Sequence, residues 1–327
     1  MIHVAELPRG AFLLNCAIKF LVIPPMVTIL DGAATAKNVL QSVKAEVAAL
    51  RIAPQLAIVC VGDDPASEIY VRNKLIQAKD VGIGAQLVKL PADSPLETIL
   101  ANIRTLNEDS AINGIIVQSP LPDGSMQNVA FNDICIAKDV DGFSDRSIAN
   151  LVRGAGNGFV PCTPLGICAL LEAYGIAIGG KHIVIIGRGS LVGRPLSILL
   201  SRKSKEFNAT VTLCHSGTEN LVNITRLADI VVVAIGRKFF LKRDMVKPGA
   251  VAIDVGINRE ACNGASGKYK ICGDIDFENV KDICQAITPV PGGVGPMTVA
   301  MLMRNTLFAA KEQSKNRSWR RESESNR

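Results

Sequence analysis

Short apolar runs alternate with longer helical patterns along most of this chain, and this alternation constrains the fold more than any other feature. Runs 55–62, 85–90 and 114–118 are mostly apolar, and segments 66–81 and 95–107 between them have the spacing of helices. Strands that alternate with helices form a parallel sheet, because each helix returns the chain to the edge where the strand began. The sequence therefore predicts a parallel α/β unit in its first half.

The alternation resumes after a glycine-rich stretch at 154–158, which we interpret as a linker or an exposed loop at a domain boundary. The second half contains further helical patterns and apolar runs. These are helices over 164–174 and 195–201 and strands over 183–186, 210–214, 230–234 and 250–254. We therefore predict the α/β class with two wound domains, since 327 residues suffice for two cores.

The composition agrees with parallel sheets covered by helices. Hydrophobic residues make up 48% of the chain and aromatic residues only 4%, which favours sheets built from Val, Ile and Leu. The net charge is +6, but half of it lies in the segment 311–327. A nucleic-acid-binding protein concentrates basic residues on its fold, with aromatic side chains near them. We therefore predict no nucleic-acid partner.

Cysteine usage indicates a reducing compartment. The nine cysteines are odd in number and have no Cys-x-x-Cys spacing, which is typical of free thiols in a cytoplasmic protein. The three histidines are too few and too dispersed for a zinc site. The sequence thus predicts a cytoplasmic protein with no metal.

Both ends of the chain are predicted to lie outside the fold. The apolar segment 11–23 contains Asn15 and Lys19, is too short to span a bilayer, and is followed by no small-residue cleavage pattern. We therefore predict no membrane partner, a disordered upstream extension over 1–25 and a disordered charged tail over 312–327.

A glycine loop between a predicted strand and a predicted helix indicates a dinucleotide site. Its spacing over 187–193 is Gly-x-Gly-x-x-x-Gly, one residue longer than the usual fingerprint. Glycines let the backbone approach a pyrophosphate, and the following helix presents free N–H groups and the positive end of its dipole. The alternative is a glycine-rich turn that only joins a strand to a helix.

The next strand bears on the choice between the two nicotinamide cofactors. It ends at Cys214-His215-Ser216, without the Asp or Glu that binds the ribose hydroxyls of NAD. The Ser216 hydroxyl and Arg188 can instead bind a 2′-phosphate, so NADP is predicted over NAD. For Arg188 the alternative is a solvated loop cation.

Four polar residues are candidates for the chemistry. Tyr70 and Lys74 are four apart on a predicted helix and share a face, where a phenol and an amine can form an acid–base pair. Gln118 ends a predicted strand and points to the crevice where open α/β sheets bind ligands, and Asp141 lies in the acidic turn 139–143. The alternatives are a surface pair, a turn-capping amide and an ordinary Asx turn.

The prolines and glycines of the segment 288–298 restrict its backbone conformation at most positions. It contains three prolines, which fix φ, and three glycines, which permit positive φ, with no charged side chain. Such a loop holds its backbone against a ligand, or it is a tight connection to the helix predicted over 298–310.

Taken together, these motifs resemble one family. In chain order they are Tyr70-Val71-x-x-Lys74, Val117-Gln118-x-Pro120-Leu121-Pro122, Lys138-Asp139-Val140-Asp141-Gly142-Phe143, Pro161-Cys162-Thr163-Pro164, the glycine loop, Cys214-His215-Ser216, Asp254-Val255-Gly256-Ile257-Asn258 and the Pro/Gly loop. From Met26 to Ala310 the chain resembles the bifunctional methylenetetrahydrofolate dehydrogenase/methenyltetrahydrofolate cyclohydrolase family. The resemblance implies a catalytic folate-binding domain over 26–148 with 296–311, a Rossmann-type NAD(P)-binding domain over 149–295, a cleft between them, and a homodimer.

The resemblance also implies the reaction and the roles of the candidates. The enzyme would oxidise 5,10-methylenetetrahydrofolate with NADP and hydrolyse the methenyl product to 10-formyltetrahydrofolate. Lys74 would be the central catalytic group, Tyr70 would pack against the folate, Gln118 would position the lysine, and Asp141 would hold the pterin edge. The backbone that would close over the folate belongs to Pro291, Gly292, Gly293, Val294 and Gly295.

Five positions match the cofactor residues of the family: Gly187, Arg188, Gly189, Ser216 and Ile257. The family commonly has Ser at the position of Gly189, which leaves the adjacent Ser190 as a donor to the cofactor phosphate. Ser119 stands where the family usually has Leu, and Lys238 replaces a frequent proline. The rival interpretations are another two-domain dehydrogenase, of the amino-acid or shikimate type, and a catalytically silent folate- or nucleotide-binding protein.

Overall fold

The computed structural model describes residues 27–154, 158–261 and 269–325. Elements of the first half are β1 (Thr28–Ile29), α1 (Gly32–Ala48), β2 (Gln55–Val61), α2 (Pro65–Asp80), β3 (Gly84–Leu90), α3 (Leu96–Glu108), β4 (Gly114–Val117), α4 (Gln127–Asp133) and α5 (Asp145–Arg153). Those of the second half are α6 (Cys162–Ala173), β5 (His182–Ile186), α7 (Gly193–Leu200), β6 (Thr210–Cys214), α8 (Leu221–Thr225), β7 (Ile230–Val233), β8 (Val251–Asp254), β9 (Asn258–Ala261), β10 (Tyr269–Cys272), α9 (Phe277–Val280), β11 (Ala286–Ile287) and α10 (Val294–Ser325).

The first domain is built on a parallel sheet of three strands in the order β3-β2-β4. The two faces of the central strand are both buried: Leu56, Ile58 and Cys60 lie in one apolar cluster, and Ala57 and Val59 lie in another. A strand buried on both faces reads as a continuous apolar run, which explains why the sequence predicted it. The predicted βαβαβ unit is confirmed.

The second domain has a parallel sheet in the order β1-β11-β8-β7-β5-β6. Its first strand comes from the start of the chain, because Thr28 and Ile29 pair with Ala286 and Ile287. The predicted first domain began at Met26, so this strand is a correction to that boundary. A strand of two residues is too short to show the alternation of apolar and polar residues that predicts a strand. Without β1, β11 would be left with an unpaired edge, and this is visible only in the structure.

The antiparallel pair β9 and β10 extends from the second domain next to the motif 254–258. The residues between these strands lie outside the described part of the chain, as do the predicted extension 1–25 and residues 155–157 of the predicted linker. Helix α5 ends at Gly154 in the left-handed conformation, with φ 69°. Among the described residues, no helix combines the length and the apolarity needed to cross a bilayer.

Helix α10 connects the two domains, since it packs against both α1 and α6. It begins at Val294 and continues to Ser325, so the predicted disordered tail over 312–327 is wrong for the residues described. Gln313 explains part of the difference, because its side-chain amide donates to the carbonyl oxygens of Asn113 at 2.9 Å and Ala137 at 2.8 Å.

Candidate active site

Lys74 and Gln118 are in direct contact in the first domain. The Lys74 Nζ donates to the Gln118 Oε1 at 3.0 Å, and the Gln118 Nε2 donates to the Ser119 carbonyl oxygen at 2.8 Å. The second bond directs the amide oxygen toward the lysine. Gln118 retains only 8% exposure, because it follows β4 at the carboxyl edge of the sheet.

Ser119, where the family commonly has Leu, has a polar partner in this structure. Its hydroxyl donates to the Gln127 Oε1 at the start of α4, at 2.8 Å. A buried or half-buried hydroxyl costs stability unless it is hydrogen-bonded, and this bond removes that cost. The departure therefore leaves the geometry of the Lys74–Gln118 contact intact.

The two aspartates of the acidic turn have different tasks. Asp139 is 1% exposed and its carboxylate accepts hydrogen bonds from the backbone N–H groups of 142–144 and from the Ser144 hydroxyl. The Asx turn therefore belongs to Asp139, which leaves Asp141 to face Lys74. Desolvation raises the pKa of the Asp141 carboxyl, and the charge of Lys74 partly opposes this shift.

Cys162 and Asn305 complete the cluster, and the sequence did not identify either as a site residue. The Cys162 thiol lies beside Asp141, and burial raises its pKa well above the ordinary value. The Asn305 Nδ2 donates to the Val140 carbonyl oxygen at 2.9 Å and to the Val160 carbonyl oxygen at 3.3 Å. Asn305 thus ties α10 to both segments that flank the Asp141 carboxyl. The Pro-Cys-Thr-Pro motif could have identified Cys162 as a site residue. A single asparagine in a helix has no sequence pattern that would identify Asn305.

A cleft of about 1020 Å³ adjoins this cluster and is lined by both domains. Tyr70 lies in its wall, and so do Ile257 and all five residues of the segment 291–295. Burial raises the pKa of the Tyr70 phenol, and the Arg259 charge opposes the shift. Lys74 lies one helical turn from Tyr70 on α2. The polar cluster of Lys74, Gln118 and Asp141 therefore lies next to the cleft, and Tyr70 lies between the two.

The Pro/Gly loop is both a connection and part of the cleft wall. It links β11 to α10, and its Gly292 carbonyl oxygen accepts a hydrogen bond from the Ala33 N–H at 2.9 Å. A Cβ atom on Gly32 would overlap the Gly293 carbonyl oxygen, so the first turn of α1 and the loop are in direct backbone contact. Gly292 has a φ of 104°, which only glycine adopts easily.

The glycine loop 187–193 follows β5 and precedes α7, as predicted. Gly187 has a φ of 118°, and a Cβ atom on Gly193 would overlap its carbonyl oxygen. Because β5 and β6 pair in parallel with Ile186 opposite Cys214, Arg188 and Ser216 emerge at the same edge of the sheet. Gly189 and Ser190 are exposed at this edge.

Two buried aspartates, Asp254 and Asp274, fix the other loops at this edge of the second-domain sheet. Asp254 accepts from the N–H groups of Gly256 at 2.9 Å, Asp274 at 2.9 Å and Ile275 at 2.8 Å. Asp274 accepts from the N–H groups of 235–236 and from the Asn258 side chain. Burial raises the pKa of Asp254 to about 7, and the Asp274 charge adds to the shift. The pair fixes the loop that carries Ile257.

Two family models match the chain. The tetrahydrofolate dehydrogenase/cyclohydrolase catalytic domain matches residues 30–141, and the NAD(P)-binding domain of the same family matches residues 161–314. The chain belongs to the tetrahydrofolate dehydrogenase/cyclohydrolase family. The predicted resemblance is therefore confirmed, as is the two-domain α/β fold.

Individual members of the family match over nearly their whole length. The chain is 47% identical over 285 residues to the bifunctional protein FolD of Chlorobium phaeobacteroides, with 86% of this chain and 96% of the relative covered. The crystal structure of FolD from Campylobacter jejuni has a TM-score of 0.82 at 43% identity and covers 88% of this chain and 99% of its own.

A third comparison concerns the cofactor. The Trypanosoma brucei member, crystallised in complex with NADP and an inhibitor, has a TM-score of 0.83 at 36% identity. It covers 88% of this chain and 98% of its own. The comparison supports the NADP prediction for the family fold.

Proposed function

We propose that this tetrahydrofolate dehydrogenase/cyclohydrolase oxidises 5,10-methylenetetrahydrofolate to the 5,10-methenyl form with NADP and then hydrolyses that product to 10-formyltetrahydrofolate. The observation that carries the proposal is the polar cluster of Lys74, Gln118 and Asp141, which adjoins a cleft that both domains line. A shared cleft allows both reactions on one bound folate.

The residues of the second domain fit a dinucleotide. The backbone overlap that forbids a side chain at Gly193 keeps the glycine loop tight enough for a pyrophosphate to approach. Arg188 and Ser216 would bind the 2′-phosphate, Ser190 would replace the donor that Gly189 lacks, and Ile257 would contact the nicotinamide. When bound, NADP accepts the hydride that leaves the methylene carbon between N5 and N10 of the folate.

The hydrolysis uses the first domain. Lys74 orients a water molecule toward the methenyl carbon and takes one proton from it as the carbon–oxygen bond forms. The adduct hydroxyl then loses its proton to solvent and becomes the formyl carbonyl as the bond from this carbon to N5 breaks. N5 receives the proton that Lys74 took from water, and the formyl group remains on N10. Gln118 holds the lysine by accepting its hydrogen bond, and the Asp141 carboxyl holds the pterin edge.

The proposal is tested by a side-by-side assay of purified protein with 5,10-methylenetetrahydrofolate and either NADP or NAD. We expect the absorbance of reduced nicotinamide to rise with NADP at lower cofactor concentration than with NAD. No reduction of either cofactor would reject the dehydrogenase assignment.

Cofactor choice is expected to depend on Arg188. Replacing Arg188 by Ala should raise the KM for NADP by about tenfold or more, because a charge-assisted hydrogen bond to the 2′-phosphate is lost. The KM for NAD should change little. The control Lys203→Ala removes one positive charge from an exposed site of the same domain, away from the loop. Equal losses for NADP and NAD in the Arg188 variant would contradict a phosphate contact.

Assembly and location rest on the family likeness. We propose a homodimer in the cytoplasm that binds neither nucleic acid nor membranes. Sedimentation equilibrium of the full chain tests the assembly, and a monomeric mass would exclude the dimer.

A further inference from the structure

Asp274 is a fully buried aspartate at the carboxyl edge of the second-domain sheet. It lies between β10 and α9 and is 0% exposed. Removing a carboxylate from water costs stability unless hydrogen-bond donors surround it in the fold. The donors that surround Asp274 therefore show what this side chain holds together.

The carboxylate of Asp274 joins two loops of this edge. Its Oδ2 accepts from the backbone N–H groups of Ile235 at 2.8 Å and Gly236 at 2.9 Å, in the loop that follows β7. Its Oδ1 accepts from the Asn258 Nδ2 at 2.9 Å, at the end of the loop that follows β8. Because β7 and β8 are neighbouring parallel strands, one side chain holds the loops at both of their carboxyl ends.

Asp274 is itself held in place. Its backbone N–H donates to the Asp254 Oδ1 at 2.9 Å, at the end of β8. A Cβ atom on Gly256 would overlap the Asp274 carboxyl group, so the loop after β8 lies directly against this side chain. Ile257, the next residue, is 46% exposed, so its own packing fixes it only weakly. The position of Ile257 therefore depends on the contacts of Asp274 with this loop.

The loop after β7 also contacts the glycine loop 187–193. A Cβ atom on Gly187 would overlap the Ala234 carbonyl oxygen, and it would lie 3.1 Å from the Ile235 Cγ2. The two loops are thus packed backbone against backbone. Through Ile235, Asp274 connects the glycine loop to the loop that carries Ile257.

The inference rests on the proposed function, in which the glycine loop binds the pyrophosphate of NADP and Ile257 contacts the nicotinamide. These two loops must keep a fixed separation if the nicotinamide is to face the methylene carbon of the folate. We propose that Asp274 is a positioning residue for hydride transfer, which holds the nicotinamide-side loop at the correct distance from the pyrophosphate-side loop. It acts through Asn258 and the backbone of 235–236.

This role requires hydrogen bonds at position 274 and no negative charge. In Asp274→Asn, the amide oxygen can accept from the two backbone N–H groups of 235–236. The amide nitrogen can donate to the Asn258 Oδ1 once the Asn258 amide is turned over. In Asp274→Ala, every acceptor is lost and the three donors are left without this partner. The two variants therefore separate the hydrogen bonds from the charge.

The test measures NADP binding by calorimetric titration, the dehydrogenase kcat, and the hydrolysis of added 5,10-methenyltetrahydrofolate. Asp274→Ala should weaken NADP binding by about tenfold and lower the dehydrogenase kcat by about tenfold to a hundredfold, because a displacement of about 1 Å has an effect of this size. Hydrolysis uses the first domain and should proceed at the normal rate. Asp274→Asn should restore NADP binding and kcat to within about threefold of the unmodified enzyme.

A third variant, Asn258→Ala, releases only the nicotinamide-side loop. It leaves the bonds of Asp274 to 235–236 in place, and Asn258 is only half-buried. The dehydrogenase kcat should fall by about tenfold while NADP binding changes by less than about threefold. This variant tests the proposal even where thermal unfolding shows that Asp274→Ala is not folded.

The matched control is Asp276→Ala, which removes a carboxylate from the same segment. The Asp276 carboxylate accepts from the Lys242 Nζ and the Asn279 Nδ2, both at 3.0 Å. The control should keep normal NADP binding, dehydrogenase kcat and hydrolysis.

A folded Asp274→Ala variant with a normal dehydrogenase kcat would overturn the inference, and so would a normal kcat in Asn258→Ala. An Asp274→Asn variant as impaired as Asp274→Ala would also overturn it, because the charge would then matter and the hydrogen bonds would not. Equal slowing of hydrolysis and hydride transfer would do the same, since it indicates a general loss of structure. These outcomes leave the proposed function standing, whereas an unmodified enzyme that fails to reduce NADP would reject both.

Discussion

Replacement of Lys74 by Gln is expected to slow methenyl hydrolysis by about a hundredfold to ten-thousandfold, the usual effect of losing a positioned proton acceptor. The glutamine keeps a polar group near Gln118 but provides no amine to take a proton from water. NADP affinity should be unchanged, because the cofactor loop lies in the other domain. The loss of methenyl absorbance measures hydrolysis, and calorimetric titration measures NADP binding.

The matched control is Lys79→Gln, which changes a lysine in the last turn of the same helix. Removing this charge affects the helix dipole by at most about 1 kcal/mol and touches no site residue. Hydrolysis at the normal rate in the Lys74 variant would remove this lysine from its assigned role. Slow hydrolysis in both variants would indicate a general effect on α2.

For Gly193→Ala we expect weakened NADP binding with hydrolysis preserved, the reverse of the result expected for the Lys74 variant. Its Cβ would overlap the Gly187 carbonyl oxygen, so the glycine loop must open or α7 must shift. We expect NADP affinity to fall by about a hundredfold, since misplaced phosphate-binding N–H groups lose several charge-assisted hydrogen bonds. Hydrolysis of added methenyltetrahydrofolate needs no cofactor and should persist.

The control for this variant is Gly124→Ala. Gly124 has open space around its Cβ position and lies in a short turn before α4 of the first domain. Thermal unfolding of both variants separates a local change in the loop from loss of the fold. Normal NADP affinity in a folded Gly193 variant would contradict the assigned cofactor loop.

The core of the fold could be predicted because both sheets are parallel and buried. Continuous apolar runs such as 55–61 and 230–233 appear directly in the sequence, and the helices between them fix the topology. Elements whose formation depends on distant partners could not be predicted. Strand β1 forms by pairing with β11 near the other end of the chain, and α10 passes residue 312 where Gln313 bonds to Asn113, which is far away in the sequence.

The candidate site was predictable to the extent that its residues follow strands or share a helix face. Gln118 meets Lys74 because the strand end and the helix lie at the same edge of one sheet. The sequence could not show that Asp139 holds the turn while Asp141 lies near Lys74. This difference depends on which carboxylate accepts the hydrogen bonds of the backbone N–H groups. The contribution of Asn305 arises from packing of α10 against two segments that are distant in sequence.

A crystal structure of the enzyme with NADP and a folate analogue tests the central claim most directly. The account predicts that the Lys74 Nζ and the nicotinamide lie on opposite sides of the pteridine, with the amine within reach of the one-carbon position directly or through one water. A Lys74 amine directed away from the cleft, remote from that carbon, would contradict the account.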